Sequence, residues 1–579
     1  MIELGNFGRK LRHDVRLWPL MLVTLVVAGC APDQMFVAQR NDAVISADPN
    51  NVTASYLSGQ VALQDGDILE ASRRLNRALE ADPANVVLRR QVFFLDVSAG
   101  RFERALEHAA ELAALEPSMQ EPHLLLGLDA ANQGDYATAL EKFAAIDERG
   151  VIGLTVPLMR AWSLFGIGEQ AAAIDDFADQ VENSGLELLT TYHRGLALML
   201  MGNHQESAAI LDETITGNLD PVRVVVATAE AHRAAGDLAR ASEILASELE
   251  LSPENVVLRQ AFDDLTGDQP LALPTQTPPT AMADALLGLA RAVERQRSDA
   301  RGILLGQMAA MLDPQAGDIQ LFLARTFLAQ DRPDTAIATL ENLPSGTPWT
   351  WESRLLRAEA LHRDDRTRDA IRLLNDMAAE RPNRTDALVA LGDIHRRSEN
   401  YRDAEQSYSR ALDRVSDPAS GHWRLYYSRG ITYERTQRWP AAEADFEQAL
   451  ALFPDQPLVL NYLGYSWVDQ NLNLERAEQM LVKAVELRPN DGFIVDSLGW
   501  AYYRLGRFDE AVEYLERAVE LQPGDPVIND HLGDAYWRAG RKREARFQWE
   551  RALTFGAEPD IVAEIERKLQ RGLPAPTNG

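Results

Sequence analysis

The sequence has a single cysteine, Cys30, among 579 residues. One thiol permits no intramolecular disulfide, so packing alone must hold the fold in any redox compartment. Long apolar runs are also scarce. Leu17–Val27 has 11 residues and contains Pro19, well short of the roughly 20 that a spanning helix needs. Basic residues are outnumbered, 58 Lys and Arg against 87 Asp and Glu, for a net charge of −29. So acidic a chain repels nucleic acid and anionic headgroups, which excludes nucleic-acid binding. No apolar–polar alternation is long enough to argue for a sheet. Recognisable catalytic patterns are missing too. The ten histidines are scattered, with no His-Glu-x-x-His, and there is no Gly-x-Ser-x-Gly, Ser-x-x-Lys or phosphate-cradling glycine loop. The charged run HRDDRTRD (362–369) falls at a turn, where such residues are solvated. The expectation is a protein without catalytic residues, cofactor or metal.

What is present is a period. Gly66, Gly100, Gly134, Gly168, Gly202 and Gly236 lie 34 residues apart. Five residues after each comes a small side chain: Ala71, Ala105, Ala139, Ala173, Ser207 and Ala241. Pro83, Pro117 and Pro253 close units at the same phase. A glycine between two amphipathic helices turns the chain without a Cβ clash, a small residue lets the pair approach, and a proline stops the second helix. Between these marks the apolar spacing is helical.

The pattern resembles the tetratricopeptide repeat, a helix-turn-helix unit of about 34 residues. It is fullest in NYLGYSW (461–467), SLGWAYY (497–503) and HLGDAYW (531–537). There Leu463-Gly464, Leu498-Gly499 and Leu532-Gly533 match the family's Leu-Gly pair. Ala477, Ala511 and Ala545 match its close-packing alanine, and Pro489 and Pro523 its terminal proline. The resemblance implies an all-α, right-handed superhelical solenoid of about 14 units. The expected plan is an N-terminal array over 52–265, a proline-rich linker over 266–280, and a C-terminal array over 281–560. A capping helix and tail complete it over 561–579. In the second array the first five units carry no turn glycine.

Ahead of the repeats, Arg9, Lys10, Arg12 and Arg16 precede the short apolar run, as in a secretory signal. Val27-Ala28-Gly29-Cys30 resembles the bacterial lipobox. That implies cleavage after residue 29, lipidation of Cys30, and a tether over 30–51. Residues 1–29 hold four basic and two acidic side chains, so their removal leaves about −31. Each buried methylene contributes about 0.8 kcal/mol, and several acyl chains anchor a protein durably. Ala31 follows the cysteine where an aspartate would mark inner-membrane retention in enteric bacteria. The expected location is the periplasmic face of the outer membrane.

The aromatics of the closing units divide by position. Tyr433, Trp467, Tyr502 and Tyr536 share the knob between paired helices and belong to the core. Tyr465, Trp500, Tyr503 and Trp537, with Arg504 and Arg538, lie on the first-helix face that lines the concave groove in such superhelices. They are the candidate partner-binding residues, with Asn461, Asp469, Asp496, Asp530 and Asp534 around them. Exposed Trp, Tyr and Arg dominate binding hot spots, although packing between units accounts for them as well. The Asn/Lys carboxylate clamp of chaperone-binding repeats is not matched.

Lipobox and repeats together look like a proteobacterial family of outer-membrane lipoproteins. One member is an adaptor that presents cell-wall hydrolases to a periplasmic carboxyl-terminal processing protease. The implied partners are that protease and its substrates. The alternative is an assembly lipoprotein for a pilus or a polysaccharide-export machine.

Overall fold

The computed structural model describes residues 52–181, 186–215, 221–252, 255–271, 275–296, 300–341, 343–344, 346–416, 418 and 420–574. The signal segment, Cys30 and the tether lie outside these. Among the described residues there is no strand. Six helix pairs run from Val52 to Leu251, a lone helix spans Val256–Thr266, eight pairs follow from Pro278 to Thr554, and Pro559–Arg571 closes the series. The described residues thus form helix-turn-helix units in series, as the repeat period implies.

Local chemistry explains the units. The periodic glycines all adopt the left-handed conformation, with φ from 68° to 94°. At Gly66 this turn lets the Asp67 amide donate to the Ala62 carbonyl at 2.9 Å, and the Asp67 carboxylate then caps the next helix by accepting from the Glu70 amide. The small residues Ala71, Ala105, Ala139, Ala173, Ser207 and Ala241 are fully buried. Past the missing glycines the turn persists with other residues. Asp331, Asp365, Glu399, Gln437 and Asn471 hold φ of 58° to 60°, a conformation that costs a non-glycine residue about 1–2 kcal/mol.

The expected joint at 266–280 does not divide the chain. Contacts separate it instead between Ala390 and Leu391, inside the helix Asp386–Arg397. The proline-rich stretch runs into Pro278–Gln296, and that helix packs on Gln120–Asn132, Val156–Gly166 and Glu187–Leu200. Its successor Ala300–Leu312 packs on Val86–Ser98 and Gln120–Asn132. All four are first helices of their units, so this pair fills the inner face of the N-terminal array. Met282, Leu286, Leu287, Leu305 and Met308 are wholly buried there, each stabilising the fold by roughly 1.5–3 kcal/mol. Arg223 pairs with Asp284, and its Nε lies 2.6 Å from Asp318. A buried guanidinium is tolerable only with such partners.

In residues 391–579 the first helices Trp423–Arg435, Pro457–Asp469, Gly492–Arg504 and Pro526–Arg538 alternate with second helices along one continuous core. Trp467, Tyr502 and Tyr536 are buried in it, as the knob position requires. Pro559–Arg571 packs on the last second helix, Lys542–Thr554.

Candidate functional site: the inner face of the closing repeats

Among the described residues of 391–579, the first helices from Trp423 to Arg538 pack chiefly on helices of their own and adjoining units. Their inward side chains meet at intervals of one repeat. Arg504 Nη1 lies 2.8 Å from Asp469 Oδ1, and its Nη2 donates to the Asp469 carbonyl at 3.0 Å. His531 Nδ1 sits 3.0 Å from both oxygens of Asp496. Burial raises the Tyr503 pKa, and Arg538 pulls the other way.

Trp500 is the centre of an aromatic stack. Its ring lies 4.6 Å from Tyr503 at 14° and 4.0 Å from His531 at 17°. Tyr465 is half-buried beside Asp496, Asp469 and Arg504; burial first, then the two carboxylates, push its hydroxyl up to about 12. Trp537 is used differently. Its indole lies 5.4 Å from Trp549, and the backbone of Gly572, at φ 71°, sits so close that no side chain would fit. The structure thus gathers Trp500, Tyr503 and Arg538, sets Arg504 and Tyr465 one unit back near Asp469, and gives Trp537 to the capping helix.

Three members of this site, His531, Trp549 and Lys568, had no sequence expectation. Lys568, on the capping helix, inserts its Nζ 2.8–2.9 Å from Asp530 and 2.9 Å from Asp534, and Trp549 Nε1 donates to Asp534 at 2.9 Å. Burial raises the Asp534 pKa against the pull of Lys568. For His531, burial lowers the pKa, but Asp496, Asp530 and Asp534 outweigh it, and the net direction is up. Lys568 occupies the phase at which a further unit would face Asp534, and a 34-residue offset was the signal that could have found it.

A second feature holds the units together. Arg438, Arg476, Arg507 and Arg541 lie over the knob aromatics Tyr433, Trp467, Tyr502 and Tyr536, at 4.6, 4.9, 4.4 and 4.1 Å from the ring centroids. Each also pairs with a glutamate on the preceding second helix: Glu405, Glu447, Glu478 and Glu516. The recurring five-residue step from aromatic to arginine in three of the four was legible in the sequence.

The arrangement offers stacked aromatics, fixed ion pairs and no nucleophile beside a base. Among the described residues no cluster of His, Cys, Asp and Glu could hold a metal, and no helix is long and apolar enough to cross a membrane.

Residues 95–150, 389–457, 427–492, 469–526 and 497–560 match the family model described as tetratricopeptide repeat. A TPR repeat-containing protein of Pseudomonas aeruginosa is 28% identical over 188 residues, covering 32% of this chain and 31% of that one. The match therefore spans less than a third of the relative's length. Among solved structures, the Cut9–Hcn1 hetero-tetramer of APC/C gives a TM-score of 0.38 at 16% identity, over 79% of this chain and 97% of that chain. Yeast Tom70 gives 0.36 at 14% identity, over 90% and 96% respectively.

Proposed function

We propose that this tetratricopeptide-repeat chain is a lipid-anchored scaffold on the periplasmic face of the outer membrane that binds proteins along the inner face of its closing repeats. Repeat arrays of this kind present extended concave surfaces for binding. The supporting observation is a contrast of inner faces. In the N-terminal array that face is filled by the chain's own helices Pro278–Gln296 and Ala300–Leu312. Among the described residues of 391–579, the first helices from Trp423 to Arg504 contact mainly helices of their own array, and the capping helix covers this face only at Pro526–Arg538, through Lys568 and Gly572. The candidate contact residues are Tyr465, Trp500, Tyr503, Arg504 and Arg538, with Trp537 at the capped end. The anchor reading rests on the basic segment, the short apolar run and the lipobox-like Val27–Cys30.

The finer reading is an adaptor that brings cell-wall hydrolases to a carboxyl-terminal processing protease. Its support is the resemblance of layout. Capture of partners from envelope extracts by the lipidated protein, followed by mass spectrometry, tests it. The expected result is a processing protease or a cell-wall hydrolase, with capture weakened by about 2 kcal/mol or more in Arg504→Ala if Arg504 is a hot spot. Recovery of pilus or polysaccharide-export components instead would replace it with the assembly reading. Fatty-acid labelling tests the anchor separately, and equal label on Cys30→Ser would exclude it.

A further inference from the structure

Acidic residues outnumber basic ones 87 to 58 in this chain, and one stretch reverses that balance: residues 538–551 hold six basic side chains against Glu544 and Glu550. The stretch takes in the end of the first helix Pro526–Arg538, the turn after it and most of the second helix Lys542–Thr554. It therefore closes the inner face described above.

The fold draws the cations of this end around one indole. Lys542 Nζ lies 5.1 Å over the Trp537 ring. Arg538 adjoins Trp537 in the chain, and Arg571 adjoins Gly572, whose backbone presses on the same ring. Arg546 stands four residues after Lys542, on the same side of its helix. It donates to the Leu569 carbonyl of the capping helix at 2.7 Å. Lys542, Arg546 and Arg571 are exposed, and Arg538 is half-buried. The carboxylates of the site are already committed. Asp530 and Asp534 take Lys568, Asp496 takes His531, Asp469 takes Arg504, and Glu544 takes Arg541. Among the described residues Arg538, Lys542, Arg546 and Arg571 form no ion pair. Like charges on one helix face repel, so this end of the groove holds positive charge that an anion relieves.

We propose that the capped end of the inner face, at Arg538, Lys542, Arg546 and Arg571 around Trp537, docks a short acidic segment of a partner protein. This partner class refines the scaffold reading above and depends on it. The patch is small, and the chain as a whole, at −29, repels anions. A run of a few carboxylates meets attraction only here, which fixes where the partner lies and in which direction. A nucleic acid carries its charge without a break and is turned away by the surroundings. Guanidinium groups take carboxylates in paired, directed hydrogen bonds.

Binding of fluorescently labelled decaglutamate to the full chain, followed by anisotropy, tests the docking. Saturable binding is expected at low salt, weakening as salt is raised. Arg538→Gln with Lys542→Gln should weaken it about tenfold or more. Because Arg538 is half-buried, Lys542→Gln with Arg571→Gln, both exposed, is the second variant, and the same loss is expected of it. Arg325→Gln with Arg372→Gln removes equal charge from exposed positions elsewhere and should leave affinity within about twofold. No binding at low salt would overturn the proposal. So would an equal loss in the Arg325/Arg372 control, which would mean the field of the whole chain. Displacement of the peptide by inorganic phosphate or a DNA oligonucleotide at equal charge would also overturn it, as a general anion site. If envelope proteins are captured and Lys542→Gln with Arg571→Gln leaves their capture unchanged, the docking fails while the scaffold reading stands. Decaglutamate binding that responds to these variants in a chain that captures no protein means the reverse.

Discussion

Two histidines show how one residue type is made to do opposite things by its surroundings. His193 is wholly buried beside Trp162, whose Nε1 donates to its Nδ1 at 3.3 Å; burial first, and then Arg223, depress its pKa to about 3. Above the ordinary value of 6.5 both folded and unfolded chains carry it neutral. As pH falls from there towards about 3 the unfolded chain gains a proton that the fold refuses, so stability is lost. His531 runs the other way. Its raised pKa means that the pairing with Asp496 is fully effective below 6.5 and is lost as pH rises through the folded value. Mild acidification should therefore loosen Glu187–Leu200 and tighten the contact between Gly492–Arg504 and Pro526–Arg538. Hydrogen exchange of those helices between about pH 5 and 8, corrected for intrinsic rates, measures both. His531→Gln should erase the gain in the closing repeats and leave the loss around His193 intact. A common direction at both helices would mean that Asp530, Asp534 and Lys568, not the His531–Asp496 pair, govern the closing site.

At the scale of the element, the turn is where sequence and structure can be compared most closely. The glycines 34 apart announced the left-handed turns, and all six are there. The loss of glycine from 331 to 471 did not signal loss of the turn, because the helices on either side over-determine it and the residue bears the strain. Gln437→Gly should raise stability by about 0.5–1 kcal/mol by relieving that strain, and Gly506→Ala should lower it by about 1 kcal/mol. Chemical denaturation of the pair of variants would check both signs. The knobs were equally legible, since an aromatic three residues after Leu-Gly can only face the second helix. Truncating the buried Tyr502 to alanine should cost about 3–5 kcal/mol. Trp500→Ala should cost less, since Trp500 stacks on Tyr503 and His531 rather than entering the apolar core. What could not be read was the tertiary partner of each polar group. For Asp530 and Asp534 the 34-residue offset from Asp534 to Lys568 is the one hint, and the contact itself depends on where the capping helix lands.

At the scale of the whole molecule, the proline-rich stretch misled for a physical reason. Prolines at 270, 274, 278 and 279 do break helix periodicity, and a solenoid in which each repeat touches only its neighbours should separate there. The helices that follow are not neighbours of the last unit alone. Pro278–Gln296 is apolar on several sides, with Ala281, Met282, Ala285, Leu286, Leu287 and Ala290 all buried, and a helix hydrophobic over most of its circumference belongs inside a fold. Gly288 lets it approach Leu189, where a Cβ would come within 2.9 Å of Cδ1, and Gln307 Nε2 donates to the Ser98 carbonyl at 3.2 Å across the same face. A chain cut after residue 265 would keep its six units but expose the inner face of four first helices, together with Arg223 stripped of Asp284 and Asp318. Leaving a buried guanidinium without its carboxylates alone costs about 3–5 kcal/mol. The fragment 52–265 should therefore bind a hydrophobic dye, associate, and unfold without a sharp transition, whereas 41–382, which retains both inserted helices and the two following units, should melt cooperatively as a monomer. Calorimetry and sedimentation of the two fragments decide it. A cooperative, monomeric 52–265 would mean that the inserted pair merely rests on the array.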